Sequence, residues 1–137
     1  MVLRGDSACK IIFGCFMAEV QAAPAGVELL RRVYAAFNRR DIATILGLMH
    51  PEVDWPNGME GGRVLGTAAV RDYWKRQFEV LNPCVEPKNF TAESDGRIAV
   101  DVHQVVHDIS GKLVVDHMVQ HVYEIRDGLI RSMEIRS

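Results

Sequence analysis

Two pairs of histidines stand four residues apart, His103/His107 and His117/His121, in a stretch where apolar and polar residues alternate. An imidazole titrates near neutrality, as a general acid or base requires. Upstream, Asp54 and Asn57 flank the Trp55-Pro56 dipeptide. A carboxylate can orient or ionise a histidine, and an amide can donate a hydrogen bond to a carbonyl oxygen. Together His121, His117, Asn57 and Asp54 would suit proton transfer beside a carbonyl, as in isomerisation, aldol-type cyclisation or dehydration. A competing reading is structural, because a histidine on an apolar strand face is commonly a hydrogen-bonded core residue. The chain would then be a non-catalytic ligand-binding or dimerisation module with the same pocket.

Spacing argues against metal and phosphate chemistry. On a strand, residues four apart lie ~13 Å from each other, too far to share one coordination sphere. The same spacing on a helix would need the zincin glutamate, which neither pair has. The glycines from Gly58 to Gly66 do not have the spacing of a dinucleotide or phosphate loop. We therefore expect no metal and no cofactor. A formal net charge of −2 offers no basic footprint for nucleic acid or an anionic membrane. The expected partner is a small apolar molecule.

The elements that must position these residues follow from periodicity. Val27, Leu30, Tyr34 and Phe37 mark one face of a first helix, ended by Asn38-Arg39-Arg40. Asp41 suits the N-cap of a short second helix carrying Ile42, Ile45, Leu46 and Met49, which His50-Pro51 stops. Val53 to Pro56 reads as a short extended piece, with turns at Asn57-Gly58 and Gly61-Gly62. Thr67 is expected to cap a third helix with Val70, Tyr73, Trp74 and Phe78 on one face. The rest alternates as strands over 85–93, 97–107, 113–125 and 129–136, broken at Asp95-Gly96, Ser110-Gly111 and Asp127-Gly128. Helices followed by an antiparallel meander make an α+β domain over 27–137.

Residues 1–26 differ in character. The apolar run from Ile11 to Ala18 follows Arg4 and Lys10 and precedes Val20-Gln21-Ala22, as in a weak secretion signal. The run is short, Asp6 sits before it and Glu19 follows at once. The segment therefore reads better as a disordered tail or a start placed upstream of Met17. It is far below the ~20 apolar residues of a membrane span. Cys9, Cys15 and Cys84 form an odd count with no CxxC, which suggests reduced thiols and a cytoplasmic protein.

The Ser110-Gly111 turn sets a hairpin register in which Ile109 faces Lys112, Gln104 faces His117, Val102 faces Val119 and Val100 faces His121. One face then carries Ile98, Val100, Val102, Gln104, Val106, Val115, His117, Val119, His121, Tyr123 and Ile125. That apolar face packs under the helices, and its three polar side chains at 104, 117 and 121 need partners or a cavity. Candidate ligand contacts are Tyr34, Trp55, Trp74, Gln104 and Tyr123, with Trp55 the aromatic most available to a ligand.

These segments resemble a known family. Leu29 to Arg40 (LLRRVYAAFNRR) with Asp41-Ile42 and the HPEVDW segment is similar to the opening of a nuclear transport factor 2-like domain. Gly66-Thr67-Ala68-Ala69-Val70-Arg71-Asp72-Tyr73-Trp74 resembles that family's third helix, and Val122 to Ile130 its last hairpin. The resemblance is nearest the SnoaL-like and ketosteroid isomerase-like branch. It implies a cystatin-like, cone-shaped roll of about three helices on a curved antiparallel sheet, a pocket between them, and often a homodimer. It also implies that the isomerase's carboxylate base falls near Asn57, its oxyanion-donating tyrosine near Val33 beside Tyr34, and its protonated acid near His121. Two of those three parts are absent and the third is changed, so steroid isomerisation by that mechanism is not expected.

Overall fold

The computed structural model describes residues 26–136. The readings placed on the N-terminal segment, Cys9 and Cys15 included, lie outside the described residues. Helix α1 (Val27–Asn38) buries Val27, Leu30 and Tyr34 of the expected stripe together with Leu29, Val33 and Ala36, while Phe37 is half-buried against the core. Its last residue, Asn38, acts as a strand neighbour. The Asn38 amide donates to the Val85 carbonyl at 2.8 Å and accepts from the Val85 N–H at 2.9 Å. Helix α2 (Ile42–Gly47) starts at Asp41, whose side chain accepts from the Thr44 N–H at 3.2 Å, as an N-cap does.

Strand β1 (Met49–Pro56) and the short β2 (Arg63–Leu65) precede helix α3 (Thr67–Val80). Thr67 is not the cap of α3. That position belongs to Gly66, which has φ 87° and makes no side-chain cap. The Gly66 N–H bonds the Val53 carbonyl at 2.8 Å. Tight docking of the turn on β1 thus takes precedence over a hydroxyl cap, in a conformation that glycine adopts freely. Strands β3 (Leu81–Ala92), β4 (Ile98–Asp108), β5 (Leu113–Arg126) and β6 (Leu129–Arg136) complete one sheet in the order β2-β1-β6-β5-β4-β3.

Two sheet expectations need correcting. The sheet is mixed, because β1 lies parallel to β6, with Met49 beside Ile130 and Asp54 beside Ser132. Pro51 lacks an N–H, and β1 bulges between Met49 and Asp54. At the β4–β5 tip the register slips by one residue, so His107 faces Leu113, and Asp108 rather than Ile109 pairs with Lys112. The Asp108 carboxylate collects the N–H groups of Ser110 and Lys112, which holds this longer turn. Below the tip the expected pairs Gln104/His117, Val102/Val119 and Val100/His121 all form. Cys84, on β3, is disulfide-bonded rather than a reduced thiol.

Irregularities at Pro87/Asn89, Val106/His107 and Glu124/Ile125 bend the sheet around the helices. The core includes Leu30, Ile45, Val53, Val70, Trp74, Val100, Val102, Tyr123 and Ile130. Each such side chain contributes about 1.5–3 kcal/mol on burial. No helix among the described residues is long and apolar enough to cross a membrane.

Candidate functional site

Between α1, α3 and the concave side of the sheet lies a cavity of about 400 Å³. Among the described residues, no Asp, Glu, Lys or Arg lines it. Its wall is built from inward-pointing strand residues and the buried stripes of the two helices, so a charged ligand would find no counter-ion there.

The polar end of the cavity is formed by three side chains. His121, from the middle of β5, is 7% exposed. Tyr34 reaches it from α1, and its hydroxyl lies 2.8 Å from His121 Nδ1. The Tyr123 hydroxyl donates to the Tyr34 oxygen at 2.8 Å. With the hydroxyls so oriented, Tyr34 donates its own proton to Nδ1 and the neutral imidazole carries its hydrogen on Nε2; turning both hydroxyls gives the other tautomer. Nε2 has no hydrogen-bond partner among the described residues, and the ring lines the cavity.

Burial removes water from this imidazole and lowers its pKa to about 4, so the ring is neutral at pH 7. The same desolvation raises the Tyr34 and Tyr123 phenols well above their usual range, and both stay protonated. The Tyr34 and His121 rings are stacked, with centroids 6.0 Å apart and planes 7° from parallel. Tyr123 meets both rings edge-on, the arrangement that aromatic quadrupoles favour.

A second polar pair sits further along the same strands. His117 Nε2 lies 3.0 Å from Gln104 Oε1. Both residues line the cavity, with Gln104 half-buried and His117 exposed. Trp55 and Trp74 close one side, packed edge-to-face at 5.4 Å. Among the sequence candidates, His121, His117, Gln104, Tyr34, Tyr123, Trp55 and Trp74 thus line one cavity.

Asp54 and Asn57 are not brought to it. Strand alternation turns Val53 and Trp55 inward and Asp54 outward. Asp54 accepts from Arg63 Nε at 2.7 Å on that outer side and cannot orient His121. Asn57 folds onto its own turn, accepting from the Glu60 N–H at 2.8 Å and donating to Glu60 Oε1 at 3.0 Å. Such a side chain–backbone bond is the usual way an asparagine closes a turn. Arg76 on α3 holds the same Glu60 carboxylate at 3.1 Å. Asn57 thus secures the loop that supplies Gly58 and Met59 to the cavity wall, and its amide is not available to a ligand carbonyl.

Sequence reasoning missed Met133 and Met59 as lining residues. Met133 was hidden by a bulge: the Asp127-Gly128 turn pairs Arg126 with Leu129, a register that would set Ser132 opposite Tyr123, and the irregularity between Glu124 and Ile125 brings Met133 there instead. Met59 lies in a loop without periodicity and left no signal.

The model of the SnoaL-like domain matches residues 30–133. The chain belongs to the SnoaL-like family. Its fold, a curved sheet with a few helices, is shared with solved nuclear transport factor 2-like structures. One, a protein of unknown function from Burkholderia pseudomallei, superposes with a TM-score of 0.72 and 26% identity, over 83% of this chain and 91% of that one. TerC, co-crystallised with polyporic acid, gives a TM-score of 0.70 and 32% identity over 80% and 88% of the two chains. A Mycobacterium tuberculosis protein in complex with estradiol-17β-hemisuccinate gives 0.69 over 79% and 89%, and at 17% identity shares the fold alone. No curated protein matches. In this SnoaL-like chain, His121, Tyr34 and Tyr123 are the polar groups that meet at the cavity's most enclosed end.

Proposed function

We propose that this SnoaL-like protein binds a small, uncharged, largely apolar carbonyl compound and catalyses proton transfer next to the carbonyl without a cofactor. The observation that carries the reading is the ring of His121, buried in the cavity lining with Nδ1 engaged by Tyr34 and Nε2 unpartnered among the described residues. In one tautomer Nε2–H donates to the carbonyl oxygen and polarises it. In the other, the two tyrosine hydroxyls turn, Nδ1–H donates to Tyr34, Tyr34 donates to Tyr123, and the Nε2 lone pair faces the substrate. That lone pair takes a proton from the carbon beside the carbonyl. Returning it at another carbon is an isomerisation, whereas attack of the enolate on a second carbonyl of the same molecule, whose oxygen then takes the proton, is an aldol-type cyclisation. A lowered pKa keeps the base unprotonated at neutral pH. Polyporic acid bound to TerC supports a small-molecule ligand for this related chain. The resemblance extends the proposal to a homodimer.

A second reading, ligand binding without turnover, is favoured by the missing carboxylate, since Asp54 points away from the cavity and its charge cannot assist a base there.

The two readings separate on a panel of small β,γ-unsaturated ketones, followed by the absorbance of the conjugated product. Turnover by the wild type and a loss of at least about 100-fold in His121→Phe are expected. Quenching of Trp55 and Trp74 fluorescence reports binding in the same samples. A folded His121→Phe protein with full activity would remove the catalytic reading. Binding without turnover by the wild type would leave the second.

A further inference from the structure

We infer that the ligand is elongated and carries two hydrogen-bond acceptors, one for His121 at the buried end of the cavity and one for Gln104 at its mouth. The inference rests on the carbonyl-binding reading and adds the ligand's length and its second polar end. Along β5 the inward positions are His117, Val119 and His121, and exposure falls from the first to the last. The paired residues on β4 are Gln104, Val102 and Val100. The cavity wall is therefore polar, then apolar, then polar, with the polar ends four residues or ~13 Å apart along the strands.

The hydrogen bonds decide what each end offers. At the buried end Tyr34 occupies His121 Nδ1, and in the tautomer in which Tyr34 donates to it, Nε2–H is left as a donor. At the mouth the Gln104 carbonyl oxygen already accepts from His117 Nε2. The Gln104 NH₂ has no partner among the described residues, so this end also presents donors. Donors at both ends match acceptors at both ends of one molecule. Because the described lining holds no Asp, Glu, Lys or Arg, those acceptors belong to neutral groups such as ketones or quinone oxygens rather than carboxylates. The apolar middle fits a rigid hydrocarbon body of about two rings.

Three probes test this by tryptophan fluorescence titration: biphenyl with an acetyl group at one end, biphenyl with an acetyl group at each end, and benzene with two opposed acetyl groups. We expect the two-ended biphenyl to bind the wild type about tenfold more tightly than the one-ended biphenyl, as one added hydrogen bond in a desolvated site allows. The two-ended benzene is too short to gain that advantage. In Gln104→Leu the two biphenyls should bind equally, with circular dichroism and the urea midpoint reporting an intact fold. Equal affinities in the wild type, or a preference that survives Gln104→Leu, would overturn the inference. The parent reading is tested separately by His121→Leu. If that variant binds the one-ended biphenyl as tightly as wild type, carbonyl recognition at His121 fails, whatever the mouth does. If neither biphenyl binds the wild type, both fall.

Discussion

Tyr34 and His121 stand 87 positions apart in the chain, and the Tyr34 hydroxyl meets His121 Nδ1 at 2.8 Å inside the protein. One comes from the first helix and the other from the middle of the longest strand. Their contact determines which nitrogen of the buried imidazole is left for a ligand. Tyr123, two residues beyond His121 on the same strand face, holds the tyrosine hydroxyl in turn.

Tyr34→Phe keeps the ring and removes only the hydroxyl. It leaves the Tyr123 hydroxyl and His121 Nδ1 without their partner in a dry environment, at a cost of about 1–3 kcal/mol in urea unfolding. Nitrogen NMR of the imidazole should then show a tautomer mixture where the wild type shows the Nε2–H form. An unchanged tautomer would mean that Tyr34 does not control it.

Stability should fall with acid in a way traceable to His121. Its folded pKa is lowered to about 4, against ~6.5 for an unperturbed imidazole. Between those values the unfolded chain binds a proton that the folded chain does not, so stability rises with pH across that window. This contribution is present above pH ~6.5 and is lost as pH falls toward 4. From pH 7 to pH 5 the loss due to this group is about 2 kcal/mol. Urea titrations at the two pH values should show that difference in the wild type and a correspondingly smaller one in His121→Gln. Equal pH dependence in both would assign the effect to other groups.

Asn38→Leu tests how the cavity is held open. Its amide covers the exposed backbone of edge strand β3 at Val85, and Val85 lines the cavity. An uncovered sheet edge leaves such backbone groups without protein partners. Losing both hydrogen bonds should cost about 2–3 kcal/mol and weaken ligand binding, because α1 carries Tyr34. A leucine variant with wild-type urea midpoint and affinity would show that α1 is docked by its apolar stripe alone.

Much of the architecture was legible in local patterns. Spacing of Val27, Leu30 and Tyr34 marked the buried face of α1, and Asp41 was readable as a cap because its side chain acts within one turn. The expected pairing of Gln104 with His117 and of Val100 with His121 formed because the bulge between Val106 and His107 offsets the one-residue slip at the Ser110-Gly111 tip. Asp54 was a missed opportunity. Alternation with Val53 and Trp55 already put it on the outer face, and its nearness in sequence to the family's base position outweighed that signal. Thr67 failed as a cap because Gly66, held to Val53, turned the chain one residue earlier.

The amino-acid order by itself, while leaving out β2 and the start of β1 at Met49, determined the three helices, the four long strands, the inward face of the long hairpin and the polar residues at 104, 117 and 121 on it. All of these depend on periods of two or about 3.6 residues and on turns a few residues long. Only the tertiary structure decided that β1 runs parallel beside β6, that Asn57 serves its own loop, and that Tyr34 and Tyr123 converge on His121. Those outcomes depend on how a helix docks across a curved sheet. Contacts between residues so far apart in sequence follow from packing the whole core, which no local period encodes.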